Sequence, residues 1–213
     1  MKVVYSTLHM LEAVINGDIT ALQNVLKSGI DVNVLDKNGE PLLFTPIVNG
    51  DMDTLKVLLA YADVNMTTDD CRTALMIATE MNDIDIVKKL IKSGADVNRK
   101  DNSGKTPLLI ALEDGNFKIA EYLIKHGSDV NVVDNLGQSA LYLVATGEGN
   151  DCTKIVKILL SCGYVLKDSD NWLCPEDLIS NAKFQSKYFK LMQKVNNSLK
   201  AISKCDIIIP VGS

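Results

Sequence analysis

The sequence predicts an all-α solenoid of about six stacked helix-turn-helix units, with β-hairpin fingers between them and a basic capping helix at the C-terminal end. Three observations carry that expectation. The tripeptide Asp-Val-Asn stands at 31–33, 63–65, 96–98 and 129–131, at steps of 32, 33 and 33 residues. A turn pair recurs in register with it: Gly17-Asp18, Gly50-Asp51, Asn82-Asp83 and Gly115-Asn116. Behind each pair runs an apolar stripe at helical spacing, such as Ile19, Leu22, Val25, Leu26 or Phe117, Ala120, Leu123, Ile124.

The units fall at about 8–35, 36–67, 68–100, 101–133 and 134–168, followed by a capping repeat at 169–205 and a tail at 206–213, all within one domain spanning 1–213. In each unit a first helix leads to the turn pair. There Asp18, Asp51, Asp83 or Asn116 caps the second helix, because a short side-chain oxygen accepts from the orphan N–H groups of its first turn. Gly29, Gly94, Gly127 and Gly163 follow the stripe, where a left-handed residue ends a helix. An extended finger then carries the chain to the next unit. One unit alone leaves its apolar face uncovered, and stacking covers it.

Several departures from the pattern carry information. The second unit has Ala60-Tyr61-Ala62 in place of the glycine, one residue short, so either a non-glycine residue turns the chain or the helix ends differently. Pro46 stands in the column of Ala13 and Ala111 and should shorten or displace its helix, since it lacks an N–H. The fifth unit carries three extra residues, predicting a protruding loop near 146–152. From 178 to 205 there are six lysines and no acid, which leaves the rest of the chain with 16 bases against 27 acids. A cap must show water a polar surface; the alternative is a stripe for an acidic partner.

Composition narrows the function. Hydrophobic residues make up 46% of the chain but aromatics only 5%, so closely packed short helices are favoured over a broad ligand cavity. A net charge of −5 gives no general attraction for nucleic acid. Five cysteines without a Cys-x-x-Cys imply neither a disulfide framework nor a zinc knuckle and fit reduced thiols in a cytoplasmic or nuclear protein. No signal peptide or membrane-spanning stretch is read, so Asn65-Met66-Thr67 and Asn196-Asn197-Ser198 are treated as chance sequons. His9 and His126 occupy different columns, His126 at a helix end that favours a cation. The pairs Asp69-Asp70 and Glu113-Asp114, and Cys152 with Cys162, lack the further ligands a metal needs. No catalytic residue, metal or cofactor is expected.

The segment DNSGKTPLLIALEDGNFKIAEYLIKHGSDVNVVD, residues 101–134, resembles the ankyrin repeat. It has the D-x-x-G-x-T-P-L opening, Ala111 and Gly115 in family positions, and the closing G-x-D-V-N. The likeness covers roughly residues 8–182. It implies a non-enzymatic, monomeric module that binds a protein partner along a concave side made of finger tips and first helices. Projected onto this chain, the columns free for that work include Leu35, Lys37, Asn38 and Glu40 in the second unit, and Asp69, Asp70, Arg72, Glu80 and Met81 in the third. Lys100, Asn102, Lys105 and Glu113 follow in the fourth, Val133, Asn135 and Leu136 in the fifth, and Trp172 near the cap. The apolar members Leu35, Met81, Val133 and Leu136 would form the interface centre, with Arg72, Lys100 and Lys105 as its charged rim. Alternatively, Leu35 and Val133 tuck against the neighbouring finger, and Trp172 closes the last groove.

The irregular repeats and the abundance of Asn, Lys, Asp and Ile are similar to poxvirus ankyrin proteins. That likeness implies capture of a host signalling protein in innate immunity, NF-κB signalling or cell death. Two other readings stand beside it: the substrate-binding part of a longer ubiquitin-ligase adaptor, and a general bacterial or cellular scaffold.

Overall fold

The computed structural model describes residues 6–146 and 152–164. Trp172, the expected capping repeat and the tail lie outside them, as does most of the expected loop at 146–152. The described residues form ten helices: α1 Thr7–Ile15, α2 Ile19–Lys27, α3 Phe44–Val48, α4 Met52–Leu58, α5 Ala74–Glu80, α6 Ile84–Lys92, α7 Pro107–Glu113, α8 Phe117–Lys125, α9 Ala140–Thr146 and α10 Cys152–Ser161. Consecutive helices pair, and the odd-numbered ones pack on one another from α1 through α9. Even-numbered helices stack outside them: α2 on α4, α6 on α8 and α8 on α10, whereas α4 and α6 make only marginal contact.

The elements form where the sequence supplies their caps and stripes. Asp18 accepts from Ala21 N–H at 2.9 Å, Asp51 from Thr54 N–H at 3.0 Å, and Asp83 from Ile86 N–H at 3.0 Å. Asn116 departs from that expectation. It caps nothing with its side chain and instead donates across the stack to the Thr79 carbonyl at 3.1 Å. Leu22, Leu55, Leu90 and Leu123, one per repeat, are fully buried in a core that runs through every repeat of the described chain. Each such side chain contributes about 1.5–3 kcal/mol by leaving water.

The second repeat is the irregular one, for two reasons. Its α3 has five residues where α5 and α7 have seven. Pro46 is one cause, and Pro41 is a second that sequence reading passed over. Pro41 takes the column of Thr73 and Thr106, whose hydroxyls cap α5 and α7, so α3 has no side-chain cap and starts late. The helix α4 also ends early. In the third, fourth and fifth repeats a residue after the glycine donates five residues back: Ala95 to Leu90, Ser128 to Leu123 and Tyr164 to Leu159. Without the glycine, Ala62 donates only four back, to Leu58 at 2.8 Å, and no residue from 60 to 62 turns left-handed.

The fingers are tighter than the hairpins expected from the sequence. Among the described residues there is no strand; single antiparallel bridges join Leu35 to Pro41, Thr67 to Thr73 and Val133 to Ser139. In three of the four fingers an aspartate closes the tip from within. The Oδ1 atoms of Asp36, Asp101 and Asp134 each accept two backbone N–H bonds, from the second and fourth residues beyond. In the third finger Thr68 stands in that column, its hydroxyl accepting from Arg72 N–H at 3.2 Å, and Cys71 holds the left-handed position, at φ 59°, that glycine holds elsewhere.

Candidate protein-binding groove

The repeated Asp-Val-Asn is an inter-repeat clip, a role the sequence alone did not reveal. Each aspartate first shapes its own turn: Asp96 Oδ1 accepts from Asn98 N–H at 2.9 Å. The asparagine then reaches into the following repeat. Asn98 Oδ1 accepts from Asp129 N–H at 2.8 Å, and its Nδ2 donates to the Gly127 carbonyl at 3.0 Å. Asn65 makes the same two bonds, to Asp96 N–H at 2.8 Å and the Gly94 carbonyl at 3.2 Å. Asn33 accepts from Asp63 at 2.7 Å, but the glycine that would offer the second acceptor is the one the second repeat lacks. The signal was present as Asp-x-Asn at a constant period; its partners lie about one repeat away, where local patterns do not reach.

A second ladder ties the finger tips. Asn102 donates to the carbonyls of Asp70 (backbone N–H, 3.0 Å) and Asp69 (Nδ2, 3.2 Å), and Asn135 to those of Ser103 (backbone N–H, 2.9 Å) and Asn102 (Nδ2, 2.9 Å). The tips pack so closely that a Cβ on Gly104 would meet Asn135 Oδ1 at 2.5 Å. Lys100 joins in, donating to the Val133 carbonyl at 3.1 Å. Three of the residues expected to be free for a partner, Lys100, Asn102 and Asn135, therefore hold the fingers together. Lys37 and Asp69 stand in the asparagine column of the second and third fingers, and no tie of this kind joins those two tips.

Beside this ladder lies a groove of about 490 Å³ between the third and fourth repeats, lined by Arg72, Glu80, Asp101, Ser103, Lys105, Ile110, Glu113 and Asp114. Two ion pairs eight residues apart in sequence repeat across it, Arg72 with Glu80 and Lys105 with Glu113 at 2.5 Å. Each links the end of a finger to the end of a first helix. The same columns hold Glu40 with Val48 and Gln138 with Thr146, so the pairing is confined to these two repeats. Opposite charges eight apart were visible in the sequence, but only the finger's return brings them together.

The exposed apolar residues sit elsewhere. Leu136 is 81% exposed, Met81 52%, Leu35 46% and Val133 37%, and none of them lines this groove. Where an interface with an apolar centre and charged rim was expected, the surface carries a charged groove, with the exposed apolar side chains apart from it. Leu35 and Val133 keep that exposure while their backbones bridge within their own fingers. Lys37, Asn38, Glu40, Asp69 and Asp70 are exposed at the tips. Trp172 lies outside the described residues.

The remaining candidates for chemistry are engaged in structure. His126 stacks on Tyr122 with ring centroids 4.0 Å apart and donates from Nδ1 to the Tyr122 carbonyl at 2.8 Å. His9 Nδ1 meets the Ser6 hydroxyl at 2.7 Å at the start of α1. Cys71 and Cys162 are free thiols. Among the described residues no group of three His, Cys, Asp or Glu side chains could hold a metal, and no helix is long and apolar enough to cross a membrane.

Stacked helix pairs, clipped by a periodic asparagine and presenting turns along one edge, define an α-helical repeat scaffold. A family model for ankyrin repeats matches residues 10–101 and 98–170, and the chain belongs to the ankyrin-repeat family. Members of that family are generally protein–protein interaction modules and typically not enzymes. No curated protein matches the chain.

Proposed function

We propose that this protein captures a protein partner along the finger and first-helix side of its stack, which would form a concave face, without chemistry of its own. The observation that supports this reading best is the groove at the third and fourth repeats. Arg72 with Glu80 and Lys105 with Glu113 present two cations and two carboxylates in fixed alternation, on a backbone braced by the asparagine ladders. A partner segment bearing both charge signs would exchange these pairs for intermolecular ones, while Met81 and Leu136 offer exposed apolar area outside the groove. The partner in this proposal is a host signalling protein in innate immunity, NF-κB signalling or cell death; that sharper form rests on the poxvirus-like character of the repeats alone.

The test is affinity capture from native or infected cells followed by mass spectrometry, with the captured protein then titrated against variants. Substituting Arg72, Met81 and Leu136 together with Ala should abolish binding with little change in the melting transition. Undiminished binding by a folded triple variant would show that another face is used. Recovery of ubiquitin-ligase subunits with a longer form of the chain would favour the adaptor reading, and several unrelated partners of equal strength would favour a general scaffold.

A further inference from the structure

A second charged surface lies on the outer helices, away from the groove. Each outer helix has two exposed or half-exposed positions three residues apart, and their charges change along the stack. In the second and third repeats the pair is aspartate then lysine and closes on itself, Asp53 with Lys56 at 2.9 Å and Asp85 with Lys88 at 3.2 Å. In the fourth repeat the order is reversed, as Lys118 and Glu121, and in the fifth both positions are lysine, Lys154 and Lys157. Glu121 turns from Lys118 to receive Lys125 at 2.9 Å and Lys154 of the next repeat at 2.6 Å. Lys118 and Lys157 make no ion pair among the described residues. The faces of α8 and α10 therefore hold four lysines against one carboxylate. Replacing a favourable pair three apart by two like charges costs a helix a few tenths of a kcal/mol, so local stability does not account for the change.

This surface adjoins a shallow depression of about 250 Å³ between α6 and α8, where Ile84 and Tyr122 are framed by Lys88, Lys118 and Lys125 and by Glu121, whose charge Lys125 and Lys154 already meet. Apolar side chains framed by ammonium groups suit an acidic peptide carrying an aliphatic side chain. Nucleic acid fits less well. The chain's overall charge of −5 opposes a long polyanion. A short peptide senses only the local field, because salt screens charges beyond about 8 Å. We propose that the outer faces of α8 and α10 dock a short Glu/Asp-rich peptide segment whose aliphatic side chain enters the Ile84–Tyr122 depression. This goes beyond the groove reading and does not depend on it.

The experiment is fluorescence anisotropy on the full chain with a labelled Glu/Asp dodecapeptide carrying a central Leu. Its Gln/Asn counterpart, a single-stranded RNA of equal length and phosphatidylserine vesicles serve as comparators. The acidic peptide should bind most tightly, with affinity falling as salt rises. The double variant Lys118→Glu, Lys157→Glu should weaken it by about tenfold or more, as expected for reversing charges at an interface. Glu121→Gln, which removes the opposing carboxylate, should tighten it, an effect a merely structural role would not produce. Arg72→Ala in the groove should leave it unchanged, separating this result from the fate of the groove reading. If the double variant loses its helical circular dichroism, Lys118→Gln with Lys157→Gln takes its place. Equal binding of the Gln/Asn peptide, tighter binding of RNA or vesicles, no binding at low salt, or a folded lysine variant that binds like the parent would each overturn the proposal.

Discussion

Replacing Asn98 by Ala tests whether the periodic asparagine, rather than the apolar core alone, fastens one repeat to the next. The substitution removes an acceptor from Asp129 N–H and a donor to the Gly127 carbonyl, at 2.8 and 3.0 Å. It leaves the Asp96 turn intact, because that turn uses the backbone N–H of residue 98. Each bond is worth about 0.5–1.5 kcal/mol net, and the site is exposed enough for water to replace part of the loss, so the expected cost is about 1–2 kcal/mol. Asn33 supplies an internal control. It keeps only the bond to Asp63, and Asn33→Ala should cost about half as much. Urea unfolding followed by circular dichroism measures both. Asn98→Asp sharpens the comparison, since it retains the acceptor but sets a carboxylate against the Gly127 carbonyl; it should be at least as damaging as Ala. If Asn98→Ala is neutral, or Asn33→Ala costs as much, the clip does not hold the repeats as described.

Pro41→Thr should restore the missing cap on α3 and stabilise the chain by about 1 kcal/mol, read as a raised urea midpoint. Cys71→Gly should stabilise by about 1 kcal/mol, because it relieves a left-handed backbone at φ 59°; the same unfolding assay checks it. Glu121 gives a pH signature. The hydrogen bonds from Lys154, then Lys125, hold its carboxyl down from 4.5 to about 2. A depressed folded pKa contributes stability that is present above 4.5 and lost as pH falls toward 2. Glu121→Gln should therefore lose stability less steeply than the parent between those values, and added salt should shrink the difference. Hydrogen exchange should find the outer-helix junction between α4 and α6 opening before that between α6 and α8, given its marginal contact and the untied finger tips beside it.

The repeats were legible because helix stripes and caps are local. A stripe such as Ile84, Val87, Leu90, Ile91 states its own period, and Asp18, Asp51 and Asp83 sit where an oxygen must meet an amide. Asn116 broke the pattern because its amide found a carbonyl in the preceding repeat, a choice made by packing. The fate of Ala60-Tyr61-Ala62 was posed correctly by the missing glycine but decided by hydrogen bonding, in favour of an earlier helix end. Pro41 gives a weaker local signal than Pro46, because its effect is the loss of a capping hydroxyl before the helix rather than a missing N–H inside it. On the surface, exposure of Leu35, Met81, Val133 and Leu136 was foreseeable from columns the fold leaves free. The pairing of Arg72 with Glu80, and the diversion of Lys100, Asn102 and Asn135 to neighbouring fingers, depended on contacts that only the folded chain creates.

The asparagine clip gives the array a direction. From the first through the fifth repeat, the clip asparagine belongs to the earlier module and acts on the backbone of the later one, so the clip itself has a polarity. A module inserted between existing repeats would find a clip asparagine in the module ahead of it, whereas one placed after the fifth would find Lys167 in that column. Lengthening by recombination is thereby easier within the array than behind its fifth module.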